Sequence, residues 1–216
     1  MTTEPTPRPS KDFLPQTLTS PTLRLEPLAL VHVPGLVEAA RGARAVPSLA
    51  TVPTPDGVEA YVRHNLERQA DGGYLPFAQV EAATGRVLGH TAYLNPRTWP
   101  AGGLMAVEIG SSWLTPAARG TAVNSTSKLL LLSHAFEDWG VVRVDVKTDA
   151  RNAAARAGIR AIGATFEGIL RAWQPSLADG EDTAARDTAM FSVILQEWPA
   201  VRGGLEERIR AKSSRG

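Results

Sequence analysis

Between residues 74 and 149 the chain runs through three strand-like segments, one helix-like segment and a fourth strand. The first two strands read "YLPFAQVEAATGRVLGHTAYLNP", with a turn signal at Ala83-Thr84-Gly85. The third strand is "LMAVEIGSSWL", the helix covers residues 121–139, and "VVRVDVKTD" follows. Because three neighbouring strands are followed by a helical crossover to another strand, this order predicts a mixed sheet with helices on its faces.

The flanking segments extend the same pattern. A strand "LRLEPL" and two helical segments, "HVPGLVEAARGA" and "TPDGVEAYVRHNLERQADGG", come first. After the fourth strand come the helix "NAAARAGIRAIGA" and a closing hairpin, "TFEGILRAWQP" and "DTAMFSVILQEW". The chain is therefore expected to be an α/β (α+β) protein, with a mixed, mostly antiparallel sheet of about seven strands flanked by about four helices.

A single domain is expected, because no Pro/Gly/Ser-rich linker interrupts the 216 residues. We assign a mobile Pro/Thr-rich tail to residues 1–20, the domain to residues 21–198 and a C-terminal amphipathic helix to residues 199–216. The run Leu129-Leu130-Leu131-Leu132 points to every side of its helix, so we expect that helix to be covered almost all round.

Composition excludes several partners and chemistries. With no cysteine, the chain has no disulfide, no thiolate metal site and no cysteine nucleophile. A net charge of +1 gives no electrostatic reason to expect nucleic acid or a membrane surface as a partner. The four histidines lack metal-ligand spacing, so no metal is expected. Since no apolar run approaches the roughly 18 residues of a membrane span, and no signal-peptide core is visible, we expect a cytoplasmic protein.

The stretch "RGTAVN", residues 119–124, opens the long helix and is the first candidate site. The first backbone N–H groups of a helix lack intrahelical partners and, with the helix dipole, suit an anion such as pyrophosphate. Gly120 allows close approach of the backbone, and Thr121 is the expected N-cap. Lys128 lies on the same helix face, so Arg119 and Lys128 could both meet phosphate charge. An ordinary helix start would have the same composition.

The stretch belongs to a longer ordered series: "EIGSSWL", a Pro-containing loop, Arg-Gly, the buried helix, "VDVKTD", "RNAAA" and "IGATFEGILR". In this order the segments resemble the GNAT acetyltransferase family, specifically its ribosomal-protein N-acetyltransferase-like (RimJ/RimL) branch. The resemblance covers roughly residues 21–198 and implies a GNAT fold. It also implies acetyl-CoA as cosubstrate.

In that family the helix-opening corner reads Gln/Arg-x-x-Gly-x-Gly/Ala, and its amides hold the pyrophosphate of acetyl-CoA. Here Ala122 and Asn124 depart from the pattern, although alanine is favourable once the residue is helical. The pantetheine arm is expected between the strand ending at Leu114 and the one carrying residues 146–148. The cofactor-binding residues implied by the resemblance are Trp113, Leu114, Arg119, Gly120, Thr121, Ala122, Val123, Asn124, Lys128 and Asn152.

Two residues are candidates for catalysis. Along residues 105–114, Glu108 shares one strand face with small residues, which leaves room for a substrate beside a base. The resemblance implies that Glu108 acts as general base, directly or through water. Ala155 stands where the branch often has serine, and no tyrosine follows Tyr93, so Ser112 or water would have to replace the usual acid. His90 would either face the acceptor or be a satisfied structural histidine.

The function that the resemblance implies is N-acetyl transfer from acetyl-CoA to a primary amine, by direct attack in a ternary complex. The acceptor could be a protein N-terminus, a peptide or a small amine. Absence of cysteine excludes a cysteine-linked intermediate. A catalytically weak CoA-binding sensor or interaction module on the same fold is the alternative, favoured by Ala122, Asn124 and Ala155. The resemblance also suggests a homodimer.

Overall fold

A computed structural model describes residues 13–43, 52–178 and 180–214. In chain order its elements are β1 (Leu18–Thr19), β2 (Leu23–Pro27), α1 (Val33–Ala40), α2 (Val58–Ala70), β3 (Tyr74–Glu81), β4 (Val87–Thr98), β5 (Leu104–Leu114), α3 (Val123–Ser133), β6 (Arg143–Asp149), α4 (Ala153–Arg160), β7 (Thr165–Pro175), β8 (Ala185–Ile194) and α5 (Trp198–Ser213). The predicted fold class is confirmed, with the short strand β1 added to the predicted strands. A C-terminal helix is present as predicted and runs from Trp198 to Ser213.

One sheet contains the eight described strands, in the order β1-β2-β3-β4-β5-β6-β8-β7. Every neighbouring pair is antiparallel except β5 and β6, which are parallel. The sheet therefore consists of two antiparallel blocks, β1–β5 and β6–β8–β7. They are joined through only four residue pairs, from Ala106↔Arg143 to Ile109↔Val146.

Helices cover the two sides of the sheet unequally. On one side, α3 and α5 bury Leu131, Leu132 and Leu205 against β5, β6 and β8. On the other side, α1 packs on β4 and α2 on β3, and they form a second, smaller core that includes Leu36 and Val62. No residue of α3 is exposed, so the predicted enclosure of this helix is confirmed. The helix-free part of the second side leaves β5, β6 and β8 open to other contacts.

Three predicted boundaries need correction. Residues 13–20 are part of the fold rather than of a mobile tail, because Phe13 is buried against Trp139 and Leu18 pairs with Leu25. Residues 1–12 lie outside the described ranges. The long helix begins at Val123 instead of residue 121 and passes at His134 into a π-helical turn that ends at Asp138.

Candidate active site

A cavity opens where β5 and β6 separate. Their pairing ends at Ile109 and Val146, although both strands continue. The gap holds a cavity of about 250 Å³. Its lining comes from the two strands, from α3 and α4, and from the β7–β8 end of the sheet: Ile109, Gly110, Ser111, Ser112, Asn124, Lys128, Val146, Lys147, Thr148, Asn152, Ala155, Gly158, Ile159, Ile162, Leu177 and Arg186.

A β-bulge turns β5 away from β6. Ser111 and Ser112 together oppose the single residue Thr91, and Ser111 has φ +51°. This left-handed conformation is unusual for a residue other than glycine and has to be held by its surroundings. The ring Nδ1 of His90 lies 2.9 Å from the carbonyl oxygen of Ser111. Because a carbonyl can only accept, Nδ1 carries the proton and fixes the bulge.

His90 is fully buried beneath this bulge. The Tyr61 hydroxyl lies 3.0 Å from His90 Nδ1, and Trp113 Nε1 donates to the same hydroxyl at 3.4 Å. Burial lowers the pKa of His90 to about 4, so the ring is neutral near pH 7. Of the two roles expected for His90, the contacts fit the structural one.

Glu108 lies next to the gap with its carboxylate oriented by two neighbours. The side chain is 7% exposed. Its Oε2 accepts from Asn95 Nδ2 at 2.8 Å and pairs with Lys147 Nζ at 2.9 Å. Asn95 reaches it from a bulge in β4, where its own φ is +50°, a region that asparagine tolerates better than most residues. The carboxylate is therefore fixed near the cavity that Lys147 lines.

Lys128 does not lie beside the helix start, where a phosphate was expected to meet it. Its Nζ donates to Ser112 Oγ at 2.7 Å and to Thr91 Oγ1 at 3.4 Å, at the bulge of β5. The aliphatic stem is enclosed between α3 and the sheet, and burial lowers the pKa of the ammonium to about 7. Ser112 and Lys128 thus form one hydrogen-bonded pair facing the cavity.

The side chain of Arg119 was also expected to meet phosphate, but it donates to backbone carbonyls instead. Its Nε donates to the carbonyl of Leu114 at 3.1 Å, and its Nη2 donates to the carbonyl of Ala43. Both bonds tie the loop between β5 and α3 to the rest of the fold. Thr121 is not the N-cap, because Ala122 precedes the first helical residue. The Thr121 hydroxyl still accepts from the amide of Val123 at 3.3 Å.

The backbone of this corner presents open amides. Lys212 of α5 donates to the carbonyls of Gly120 and Thr121, at 2.6 and 2.9 Å. In a trans peptide the N–H points opposite to the C=O, so the amides of Thr121 and Ala122 point away from Lys212. Together with the amide of Asn124 they have no partner among the described residues. Gly120, at φ +76°, makes this turn possible.

The other predicted cofactor residues fall into two groups. Asn152 caps α4, since its Oδ1 accepts from the amide of Ala155 at 2.9 Å, and both residues line the cavity. Asn124 lines it as well. The side chains of Trp113 and Leu114 are instead buried in the cores and do not line it.

Sequence reasoning missed Asn95, Lys147, Arg186 and Lys212. The Asn-Pro pair in the predicted loop signalled a special backbone at Asn95. Lys147 and Arg186 meet the site only through strand pairing. Lys212 reaches it from 91 residues away along the chain. None of these three has a local signal.

Within the described ranges, none of the helices combines the length and the apolar character needed to cross a bilayer. No group of three or more His, Asp or Glu residues in the same part of the chain is arranged to hold a metal ion.

Comparison with known proteins gives consistent matches. The family model described as "Acetyltransferase (GNAT) domain" matches residues 22–165. The chain is similar to a GCN5-related N-acetyltransferase from Brucella melitensis, with a TM-score of 0.77, 27% identity and coverage of 92% of this chain and 87% of that one. A search of curated proteins gives no match.

Two further solved structures share the fold. One is Mycobacterium smegmatis RimJ in complex with CoA-disulfide, with a TM-score of 0.71, 18% identity and coverage of 91% of this chain and 96% of that one. The other is RimL, a ribosomal-protein alpha-N-acetyltransferase in complex with coenzyme A, with a TM-score of 0.66, 20% identity and coverage of 83% and 98%.

Proposed function

The chain belongs to the GNAT acetyltransferase family, and from that membership we propose that it moves an acetyl group from acetyl-CoA to a primary amine by direct attack in a ternary complex. Members of the family are N-acetyltransferases that use acetyl-CoA. The finer assignments, namely the residues and the acceptor, are supported by the cavity at the β5–β6 gap and by the groups around it.

The donor set fits acetyl-CoA in two places. The open amides of Thr121, Ala122 and Asn124 stand at the start of an 11-residue helix, where the helix dipole favours an anion such as the diphosphate. The cavity between β5 and β6, of about 250 Å³, would receive the pantetheine arm, and Asn152 lines it. When bound, acetyl-CoA would supply an acetyl group activated as a thioester.

Glu108 is the proposed general base. The reacting amine must be neutral to attack, and amines are mostly protonated near pH 7. Glu108 Oε2 is held by Asn95 and Lys147, so the carboxylate does not have to be ordered when the amine arrives. It would accept the proton from the amine, directly or through one water.

Ser112 and Lys128 are proposed to provide the proton for the leaving thiolate. The Ser112 hydroxyl is exposed to the cavity and lies 2.7 Å from the ammonium of Lys128. A proton lost from Ser112 would be replaced from Lys128, whose pKa of about 7 lies below that of a thiol, about 8.5. The pair would take the place of the serine or tyrosine acid of other members.

The observation that carries the proposal is the separation of β5 and β6 beside a fixed carboxylate and an open helix start. We propose to test it by incubating the protein with acetyl-CoA and a panel of amines, among them peptides with ribosomal-protein N-termini, free amino acids and polyamines. Acetylated product in the mass spectrum and matching CoA release are the expected results. CoA binding without transfer to any amine would favour the alternative, a binding module.

A further inference from the structure

Arg186, on β8, is a buried cation that the proposed chemistry does not use. The residue is 7% exposed and lines the cavity. It forms no hydrogen bond or ion pair with any described residue, and its Nε is enclosed without a partner. A buried guanidinium normally has a carboxylate beside it, because removing the charge from water is costly.

The carboxylates near Arg186 are already engaged by other cations. Asp149 is bound by Arg151 at 2.8 Å, and Glu108 pairs with Lys147 at 2.9 Å. Burial lowers the pKa of Arg186. The negative charges of Asp149 and Glu108 act to raise it, and the positive charge of Arg151 acts to lower it. Neither carboxylate is positioned to bind the guanidinium directly, so its donors remain available to a ligand.

Arg186 also points to the side of the sheet that carries the proposed base. Glu108 pairs with Asp145, and Asp145 pairs with Ser192 of β8. Directly paired residues share a face, and alternate residues along a strand return to it, so Ser192 and Arg186 point to the side of Glu108. This is the side that α3 and α5 leave open.

On the basis of the proposed acetyl transfer, we propose that Arg186 binds a carboxylate of the acceptor, so that the acceptor is an amine with a carboxylate close to the reacting nitrogen. A planar guanidinium can donate two parallel hydrogen bonds to the two oxygens of a carboxylate. An acceptor held in this way would place its amine toward Glu108. The carboxylate could belong to a free amino acid or to an acidic residue at a peptide N-terminus.

The test compares acceptors in which a carboxylate is replaced by an amide, at a pH where both amines of a pair are mostly protonated and with rates corrected for the neutral fraction of each amine. β-Alanine is paired with β-alaninamide, and the dipeptide amide Ser-Asp-NH2 is paired with Ser-Asn-NH2. Wild-type kcat/KM is expected to be roughly 10–100-fold higher for the carboxylate member of at least one pair, the effect typical of hydrogen bonds to a charged group. The pair that discriminates identifies the source of the carboxylate.

Variants then assign the preference to Arg186. Arg186→Met is expected to abolish the discrimination while leaving kcat/KM for the neutral amides and the KM for acetyl-CoA near wild type. Arg186→Lys should restore part of it. Arg171→Met, which removes an exposed arginine from β7, is the matched control and should keep the wild-type ratio.

Three outcomes would overturn the assignment: a ratio near one in both pairs, an equal loss for charged and neutral acceptors in Arg186→Met, or a loss confined to acetyl-CoA affinity. If no amine is acetylated at all, the proposed function fails instead. Titration calorimetry of β-alanine with wild type and Arg186→Met then still tests the carboxylate site, because this measurement needs no turnover. Equal binding, or none to either protein, contradicts the proposal.

Discussion

At the scale of single residues, the orientation of Glu108 by Asn95 and Lys147 leads to a kinetic prediction. Glu108→Gln is expected to lower kcat at neutral pH by about 10²–10⁴-fold, because an amide cannot accept the amine proton. The defect should shrink at alkaline pH, where more of the amine is already neutral. Steady-state rates across this range, with acetyl-CoA affinity as the unchanged reference, measure the effect.

The control for Glu108→Gln is Glu167→Gln. It makes the same acid-to-amide change and also removes an ion pair, here with Arg143, but away from the cavity. Its kcat is expected to stay within a few-fold of wild type. A Glu108→Gln enzyme with wild-type kcat at neutral pH, with chemistry shown to be rate-limiting, would mean that solvent or another group is the base.

The burial of His90 predicts a loss of stability in mild acid. Its pKa is about 4 in the folded protein and about 6.5 in the unfolded chain, so between these values the unfolded chain binds more protons. The free energy of unfolding should therefore decrease by about 3 kcal/mol as the pH falls from about 6.5 to about 4. In His90→Gln this part of the pH dependence is expected to vanish. Urea unfolding at a series of pH values measures it.

His64→Gln provides the comparison, because His64 is exposed on α2. It should keep the wild-type slope over the same pH window. Carboxylates with lowered pKa values also stabilise the fold, but they lose this stabilisation mainly at lower pH, as for Glu167 with a pKa of about 2. Their effect should be the same in wild type and in both variants. Parallel slopes for wild type and His90→Gln would show that His90 is not buried as a neutral ring.

A residue's place in the site can be predicted from the sequence only when its partners lie close to it along the chain. Glu108 could be singled out because alternation along one strand determines its face. Its contacts with Asn95 and Lys147 depend on the registers of three strands, which no short segment encodes. Lys128 was expected at a phosphate because helical spacing gives its face but does not show that its stem reaches across to Ser112.

At the scale of elements, the contact between α5 and the start of α3 leads to a binding prediction. Lys212→Met removes the donor that fixes the carbonyls of Gly120 and Thr121, so the amides behind them should be less ordered. We expect CoA affinity to fall about 5-fold, the equivalent of about 1 kcal/mol for a partly exposed hydrogen bond. Titration calorimetry with CoA measures the change.

The matched variant is Arg210→Met, which removes one positive charge from the same last turn without a contact to the corner. It should alter CoA affinity less than Lys212→Met does. If the two variants weaken binding equally, the effect is one of general charge and not of the hydrogen bonds.

The amphipathic character of α5 could be predicted from the sequence, but its contact with the start of α3 could not. That contact joins residues that are 91 and 92 positions apart along the chain.

At the scale of the whole molecule, the proposed ligand would touch both blocks of the sheet. CoA at 100 times its Kd is expected to add about 2.7 kcal/mol of apparent stability, a rise in Tm of roughly 5–10 °C for a chain of this size. Pantetheine lacks the diphosphate, and ADP lacks the arm, so each should raise Tm less than CoA does. A Tm unchanged by saturating CoA, with no heat in calorimetry, would contradict the assigned ligand.

The two antiparallel blocks of the sheet are joined by only a short parallel pairing between β5 and β6, so the chain could be divided between them. A break in the backbone at Gly140, an exposed residue between the π-helical turn and β6, would leave every antiparallel strand pair within one of the two pieces. Reassembly would have to restore the four parallel residue pairs, the packing of α3 on β6, β8 and α5, and the ion pair between Glu108 and Lys147. The chain is therefore suited to a split-enzyme reporter, in which two co-expressed halves regain acetyl transfer when fused partners bring them together.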